Sequence, residues 1–320
     1  EKIMSELEIQ KCLLCESDNL EKITNYGQFG LLCNVKICKN DGFVFLSPRW
    51  SKLEYLNFYK NEYDKYYRPE VFNDYVDSYF YKESEKVVER VADKINIDKP
   101  LHILDVGCGM GWVLDIIHKK LSHHKLFVIE ASAFCCNSIL SRKYIDIISN
   151  DVDQSWEDNY LEKFDVIILR HALEHFIDPV LILQKMKKAL SKNGVLYLAV
   201  PDMNHVKGSL QLSWFRSVHV YYFNIVTLKN ILNKVGFVIS KYEEVDSEIW
   251  GICLHSSIIK NDDELHANYK QQKNIINKLM KKETILVLNN KFSKFLKKIL
   301  PDKLFGFFQK TYRKVVNKIK

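Results

Sequence analysis

The sequence predicts an α/β fold: a doubly wound, mostly parallel seven-stranded sheet over residues 86–260. Three observations predict it. Apolar runs of strand length alternate with helix-period segments, as in a sheet covered on both faces. The runs are nearly continuous in Val, Ile and Leu, which suits strands buried on both sides. The first run breaks into Gly107-Cys108-Gly109-Met110-Gly111, a turn that can feed a strand sharply into a helix. Around this body lie a cysteine-bearing hairpin module at 1–46, a helical connector at 47–85 and a helical tail at 261–320.

The elements follow in order. Leu101–Val106 reads as the first strand and Trp112–Leu121 as the helix after the glycines. Lys125–Glu130 is the second strand, 133–143 a helix and Ile145–Ser149 the third strand. Phe164–Leu169 is the fourth. A helix over 179–191 ends at Asn193-Gly194, a good C-terminal stop. Val195–Val200 is the fifth strand, helix 227–235 stops at Gly236, and strands near 237–245 and 249–259 close the sheet.

Composition narrows the class. The chain has 320 residues and 47% hydrophobic content, enough for one large core with attachments. No apolar run reaches the roughly 18–20 residues that span a bilayer. Ile3, Leu7 and Ile9 are interleaved with charges, so no signal peptide is expected. Eight cysteines spread over this length suit reduced thiols in a cytoplasmic protein better than a disulfide scaffold. The net charge of +7 is uneven: residues 265–320 hold 15 Lys/Arg and two acids, a net of +13. The other 264 residues carry 32 bases and 38 acids, a net of −6. The basic character thus belongs to the tail.

In such sheets ligands bind beyond the carboxyl ends of the strands. Glycines let a ligand approach the backbone, although a tight turn alone also explains them. Glu130 ends the second strand, where a carboxylate accepts hydrogen bonds from ribose hydroxyls. Asp151 follows the third strand, placed to accept from an adenine amino group or simply to cap a turn. Asp105 stands two residues before the first glycine. A carboxylate there repels a pyrophosphate and suits a cationic ligand, which disfavours a dinucleotide dehydrogenase.

Ile103-Leu104-Asp105-Val106-Gly107-Cys108-Gly109-Met110-Gly111 resembles the first motif of class I S-adenosylmethionine-dependent methyltransferases. Phe164 through Pro179 resembles their fourth motif, and Leu190 through Pro201 their fifth. His219-Val220-Tyr221-Tyr222-Phe223, then Leu228 and Val235-Gly236-Phe237, resembles the late segment of the small-molecule branch. The resemblance implies S-adenosylmethionine as the methyl donor. It implies Asp105, Gly107 and Gly109 at its methionine end, with Gly111 closing the cofactor-binding bend. Trp112 departs from the family pattern, being bulkier than the residue often found there, and is expected to pack on the cofactor edge. It further implies Glu130 at the ribose, Asp151 and Val152 near the adenine, and Arg170 or His171 beside the sulfur.

Methyl transfer to a hydroxyl needs alignment and a group that removes the proton. The histidines available are His171, His175, His205 and His219. His171, just after the fourth strand, and His219, at the head of the late segment, are the two assigned to catalysis. Each also reads as a hydrogen-bonded loop or core histidine.

Cys12-Leu13-Leu14-Cys15 is a C-x-x-C knuckle, and Cys38 through Gly42 resembles a second with Asp41 in place of its last cysteine. The stretch to Pro48 is similar to zinc-ribbon modules ahead of methyltransferases of bacterial surface-sugar pathways. That resemblance implies structural zinc on Cys12, Cys15, Cys38 and Asp41, with Cys33 as an alternative ligand; a ribbon that has lost its metal is the other reading. In the tail, Leu304, Phe305, Phe307, Phe308, Tyr312, Val315, Val316 and Ile319 recur at helical spacing between Lys and Arg residues. Such a helix either lies on an anionic membrane, at its inner face, or packs on the body or a second subunit. The acidic body argues against nucleic acid. The expectation is therefore O-methylation of a sugar, nucleotide-sugar or surface-polysaccharide precursor. Another small metabolite as acceptor, or a silent methyltransferase-like binding module, is the alternative.

Overall fold

The computed structural model describes residues 7–67, 74–96, 98–120, 122–257 and 268–284. Seven strands form the central sheet: β1 (His102–Val106), β2 (Lys125–Ile129), β3 (Ile145–Ser149), β4 (Phe164–Arg170), β5 (Leu190–Pro201), β6 (Phe237–Val245) and β7 (Glu248–His255). Their spatial order is β3-β2-β1-β4-β5-β7-β6. The pairs from β3 to β5 are parallel, and β7 runs antiparallel to both β5 and β6. This is the doubly wound α/β sheet expected from the apolar runs.

Side-chain alternation builds two cores from one sheet. Leu104 and Val106 enter one apolar cluster, while Ile103 enters the other on the opposite face. Ile167 and Ile168 divide in the same way, both fully buried. Deleting one such side chain, as in Leu104→Ala, costs about 2–5 kcal/mol. β6 lies at the sheet edge and carries Lys241, Glu243 and Glu244 outward, which blunts an open strand edge.

Local signals start the covering helices. Ser132 caps Ala133–Leu140, and Asp178 with Pro179 opens Pro179–Ala189. Asn224 and Thr227 form a capping box at Ile225–Lys234. One boundary departs from expectation. Asn193-Gly194 does not stop a helix; β5 already begins at Leu190, which pairs with Phe164. The register shifts between Leu190 and Val195, and Gly194 fits there because a Cβ would sit 2.8 Å from Leu190 Cδ1.

The N-terminal region shares a sheet with the body. Strands Leu20–Tyr26, Leu32–Cys38 and Val44–Leu46 are antiparallel, and the short strand Tyr221–Tyr222 pairs onto Val44–Leu46. Helices Lys52–Asn61, Tyr63–Tyr67 and Asp74–Ala92 follow. A helix over 268–284 ties the parts together. Asn268 Nδ2 donates to the Asp41 carbonyl at 2.7 Å, and Lys273 meets Glu21 at 2.7 Å. Among the described residues no helix is long and apolar enough to cross a membrane. The apolar and cationic stripe expected from Lys303 to Ile319 lies outside them.

Candidate active site

β1 delivers Asp105 to the carboxyl end of the sheet, and the next residues turn through Gly107, Gly109 and Gly111, all with positive φ. Gly109 is the position that matters most. Its φ of +56° favours glycine, and a Cβ built there meets nothing within 4 Å. The bend therefore presents bare backbone to open space. Glu130, one residue past β2, braces it: the Gly109 and Ser132 amides each donate to its carboxylate at 2.8 Å.

Asp105 is 3% exposed and its carboxylate has no hydrogen-bond partner among the described residues. Burial, and then the charge of Glu130, push its carboxyl up to about 7, with Arg170 opposing. A buried, unbonded carboxylate beside a second one is costly unless a cation arrives. The open cradle and this acid fit a sulfonium- and ammonium-bearing nucleoside.

At the end of β3, Asp151 turns inward on its own loop: its Oδ1 accepts from the Asp153 amide at 2.9 Å. The loop is clamped by Lys185, whose ammonium donates to the carbonyls of Val152, Asp153 and Gln154. Trp112 stacks on Phe80 with ring centres 5.5 Å apart at the start of the helix after the bend.

A cavity of about 420 Å³ opens beyond β4, β5 and β7. Its wall includes Arg170, His171, Arg216, His219 and Glu248. Gly107 and Ala172 bring the bend and this wall together, since a Cβ on Gly107 would lie 3.0 Å from Ala172 Cβ. Glu248 receives His171 Nε2 at 2.8 Å, Arg90 at 3.1 Å and Arg170 at 3.4 Å. Burial alone would raise its pKa, but the bond to His171 and the charges around it draw the carboxyl down to about 2. His171 takes a left-handed backbone, φ +49°. Burial pulls its ring down, yet the Glu174 carboxylate 3.8 Å away and the hydrogen bond to Glu248 together outweigh this and hold it up at about 9. The ring keeps 39% of its side-chain surface open to the cavity.

His219 is the opposite case. Burial, then His175 and Arg216, drive its pKa well below the usual histidine range. Its ring touches His175 edge-on and has no hydrogen-bond partner among the described residues. His175 is bonded to the Tyr59 hydroxyl at 2.8 Å, and His205, 60% exposed, pairs with Asp202 outside the cavity wall. Of the four histidines, His219 alone offers a neutral, unengaged nitrogen to the cavity.

Cys12, Cys15, Cys38 and Asp41 converge, with one ligand atom from each within 4.8 Å of the others. Cys12 Sγ lies 3.0 Å from Asp41 Oδ2, and Cys15 Sγ 3.5 Å from Cys38 Sγ. Ligand atoms about 3.5 Å apart suit a tetrahedral zinc, so the donor set fits. Cys33 stands elsewhere, buried near the Tyr222 hydroxyl.

Sequence reasoning passed over Glu248, Arg216 and Lys185. Lys185 alone had a signal: it is a charge on the apolar face set by Ile182, Met186 and Ala189. Glu248 and Arg216 carry no motif, and only the folded topology brings them to the cavity.

The sheet order, with its one antiparallel hairpin at the end, defines a Rossmann-like α/β protein with a ligand cradle at the strand ends. The chain matches the methyltransferase domain family over residues 76–242 and belongs to it. Membership implies S-adenosylmethionine as the donor. A malonyl-[acyl-carrier protein] O-methyltransferase of Calditerrivibrio nitroreducens is 26% identical over 115 residues, 36% of this chain and 44% of that one. A ubiquinone biosynthesis O-methyltransferase of Actinobacillus pleuropneumoniae is 32% identical over 105 residues, 30% of this chain and 44% of that one. The chain thus spans less than half the length of these curated relatives. A Mesorhizobium loti S-adenosylmethionine-dependent methyltransferase structure covers 52% of this chain and 95% of its own, at 15% identity and a TM-score of 0.42.

Proposed function

We propose that this protein is an S-adenosylmethionine-dependent O-methyltransferase acting on a sugar, a nucleotide-linked sugar or a surface-polysaccharide precursor. The observation that carries the enzymatic reading is Asp105, buried and unbonded under an open glycine bend. Asp105 and the bend hold the cationic end of the donor, and Glu130 turns its carboxylate to the ribose. The donor supplies an electrophilic methyl on a sulfonium. His219 takes the proton of the acceptor hydroxyl as the oxygen attacks, and the sulfur leaves neutral as a thioether. His171, held charged by Glu248, orients the acceptor and stabilises negative charge on the attacking oxygen. Cys12, Cys15, Cys38 and Asp41 hold a structural zinc that fixes the N-terminal hairpin.

The acceptor class is supported by the cavity wall, which mixes charged side chains with Tyr79 and Trp214 and so suits a hydroxyl-rich ligand. The relatives named O-methyltransferases support oxygen as the methylated atom. Protein incubated with methyl-labelled donor and a panel of nucleotide-linked and phosphorylated sugars is expected to label at least one sugar. Tight donor binding with label on none of the saccharides, but on another metabolite, defeats the saccharide reading. Absence of donor binding defeats the enzymatic one.

A further inference from the structure

The cations lining the cavity are ion-paired, with one exception. Lys86 meets Glu83 at 2.7 Å, while Arg90, Arg170 and His171 share Glu248. Arg216 lines the same wall without a carboxylate partner among the described residues. Its Nε donates to the Ser213 carbonyl at 3.2 Å, and its guanidinium lies 5.8 Å from the centre of the Tyr67 ring. A guanidinium offers five donors in a planar fork, and Arg216 uses one of them among the described residues.

Arg216 and His219 share one turn, in which the His219 amide donates to the Arg216 carbonyl at 3.1 Å. A ligand that spans both side chains sets its charged group beside the hydroxyl facing His219. The charge bears on the proton as well. His219 must gain a proton as the methyl moves, and the nearby guanidinium opposes that gain. An anion seated on Arg216 cancels the opposition, and does so only when the acceptor is present.

We infer that the acceptor is an anion whose oxyanion, a phosphate or a carboxylate, is gripped by Arg216 at the cavity wall. A planar fork matches both groups in bidentate fashion. The inference deepens the reading above and rests on this cavity being the acceptor site.

The test uses full-length protein saturated with S-adenosylhomocysteine. Glucose 1-phosphate, glucuronate, inorganic phosphate and the neutral methyl glucoside are titrated by calorimetry. At least one anion is expected to bind tenfold or more tighter than the glucoside, less tightly as salt rises. Arg216→Gln loses that preference and Arg216→Lys keeps part of it. Preference for phosphate or for glucuronate identifies the source of the oxyanion. Equal binding of neutral and charged probes, binding of none, or an anion preference intact in Arg216→Gln overturns the inference. S-Adenosylhomocysteine affinity of each variant reports an intact fold; should the Gln variant lose it, Arg216→Lys and the salt dependence decide. Anion preference that tracks Arg216 with no saccharide methylated sinks the saccharide reading and leaves this one standing.

Discussion

Glu248 Oε2 lies 2.8 Å from His171 Nε2, joining the last central strand to the residue that follows β4. With Glu174 it holds His171 charged, while burial keeps the chemically similar His219 neutral. His171, raised above 6.5, contributes stability that is complete below 6.5 and lost as pH climbs through about 9. Glu248, lowered from 4.5, contributes stability that is complete above 4.5 and lost as pH falls through about 2. Glu248→Gln is expected to move the His171 titration down toward neutrality in NMR spectra. It also leaves Arg90, Arg170 and His171 facing one another, for a loss on the order of 3 kcal/mol in denaturant unfolding. An unmoved His171 titration removes the basis for assigning different roles to the two histidines.

His219→Ala should lower kcat by roughly 10²–10⁴-fold, the usual range for a lost general base, with donor affinity unchanged. Because the His219 pKa is depressed, the wild-type rate should stay flat through neutral pH and fall only on the acid side of the ordinary histidine value. The same depression means that the unfolded chain binds a proton there before the native one. Stability therefore drops as pH falls below 6.5, and His219→Asn should shrink that drop. A variant with wild-type kcat would transfer the proton role elsewhere.

If Asp105 holds the cationic end of the donor, as proposed, donor binding is proton-linked. Its carboxyl, raised from 3.8 to about 7, gives stability that is present below 3.8 and lost as pH rises through about 7. The shift corresponds to a penalty on the order of 4 kcal/mol for the ionised form. A cationic donor restores the charge, so binding at pH 6 should release a proton. Calorimetry in two buffers of different ionisation enthalpy measures it. Asp105→Asn is expected to raise the unfolding temperature of the free protein, to weaken donor binding at least a hundredfold and to abolish the proton release. Unchanged donor affinity in that variant would place the cationic end elsewhere.

The sheet was legible because parallel strands buried on both faces must be written as apolar runs. Ile145–Ser149 and the start of β4 at Phe164 fall where those runs do. β5 was read five residues short at its start because Leu190 belongs by period to the preceding helix, and only its partner Phe164 makes it a strand. Tyr221–Tyr222 carried no strand signal of its own; two residues become a strand through pairing with Val44–Leu46, some 175 residues earlier. The acidic rim of the bend could be read because Asp105 and Glu130 sit at strand ends, positions that periodicity locates. Arg216 and Glu248 could not, since their meaning lies in which neighbours they have or lack.

Two glycines should answer alanine in opposite ways. At Gly109 there is room for a methyl group, so Gly109→Ala pays only for its left-handed backbone, about 1–2 kcal/mol. The new Cβ occupies the cradle, so donor binding should be lost while the fold persists. At Gly42, φ is +74° and a Cβ would lie 2.8 Å from the Tyr269 backbone nitrogen. Gly42→Ala must displace helix 268–284 as well as strain the turn, on the order of 3 kcal/mol together. Donor affinity of the folded fraction should be unaffected. Thermal unfolding with and without S-adenosylhomocysteine separates the two, and the reverse pattern contradicts both placements.

A strand pair connects the cysteine cluster to the segment that follows His219. Asp41 and Cys38 shape the turn before Val44–Leu46: the Gly42 amide donates to the Cys38 carbonyl, and the Phe43 amide to Asp41 Oδ1, both at 2.9 Å. Val44–Leu46 in turn pairs with Tyr221–Tyr222, two residues beyond His219. The purified protein is expected to hold one zinc per chain, and cobalt substitution should give thiolate-to-metal absorption. Cys12→Ser should lose the metal, whereas Asp41→Cys should bind it more tightly. A metal bound only by the folded chain stabilises it, so chelation should lower the unfolding temperature. A loosened turn also frees Tyr221–Tyr222 and with it His219, so chelated protein should show a reduced kcat at unchanged donor affinity. Metal loss that lowers stability and leaves kcat intact would uncouple the hairpin from the proton acceptor. Protein that takes up neither zinc nor cobalt would make the cluster a purely hydrogen-bonded turn.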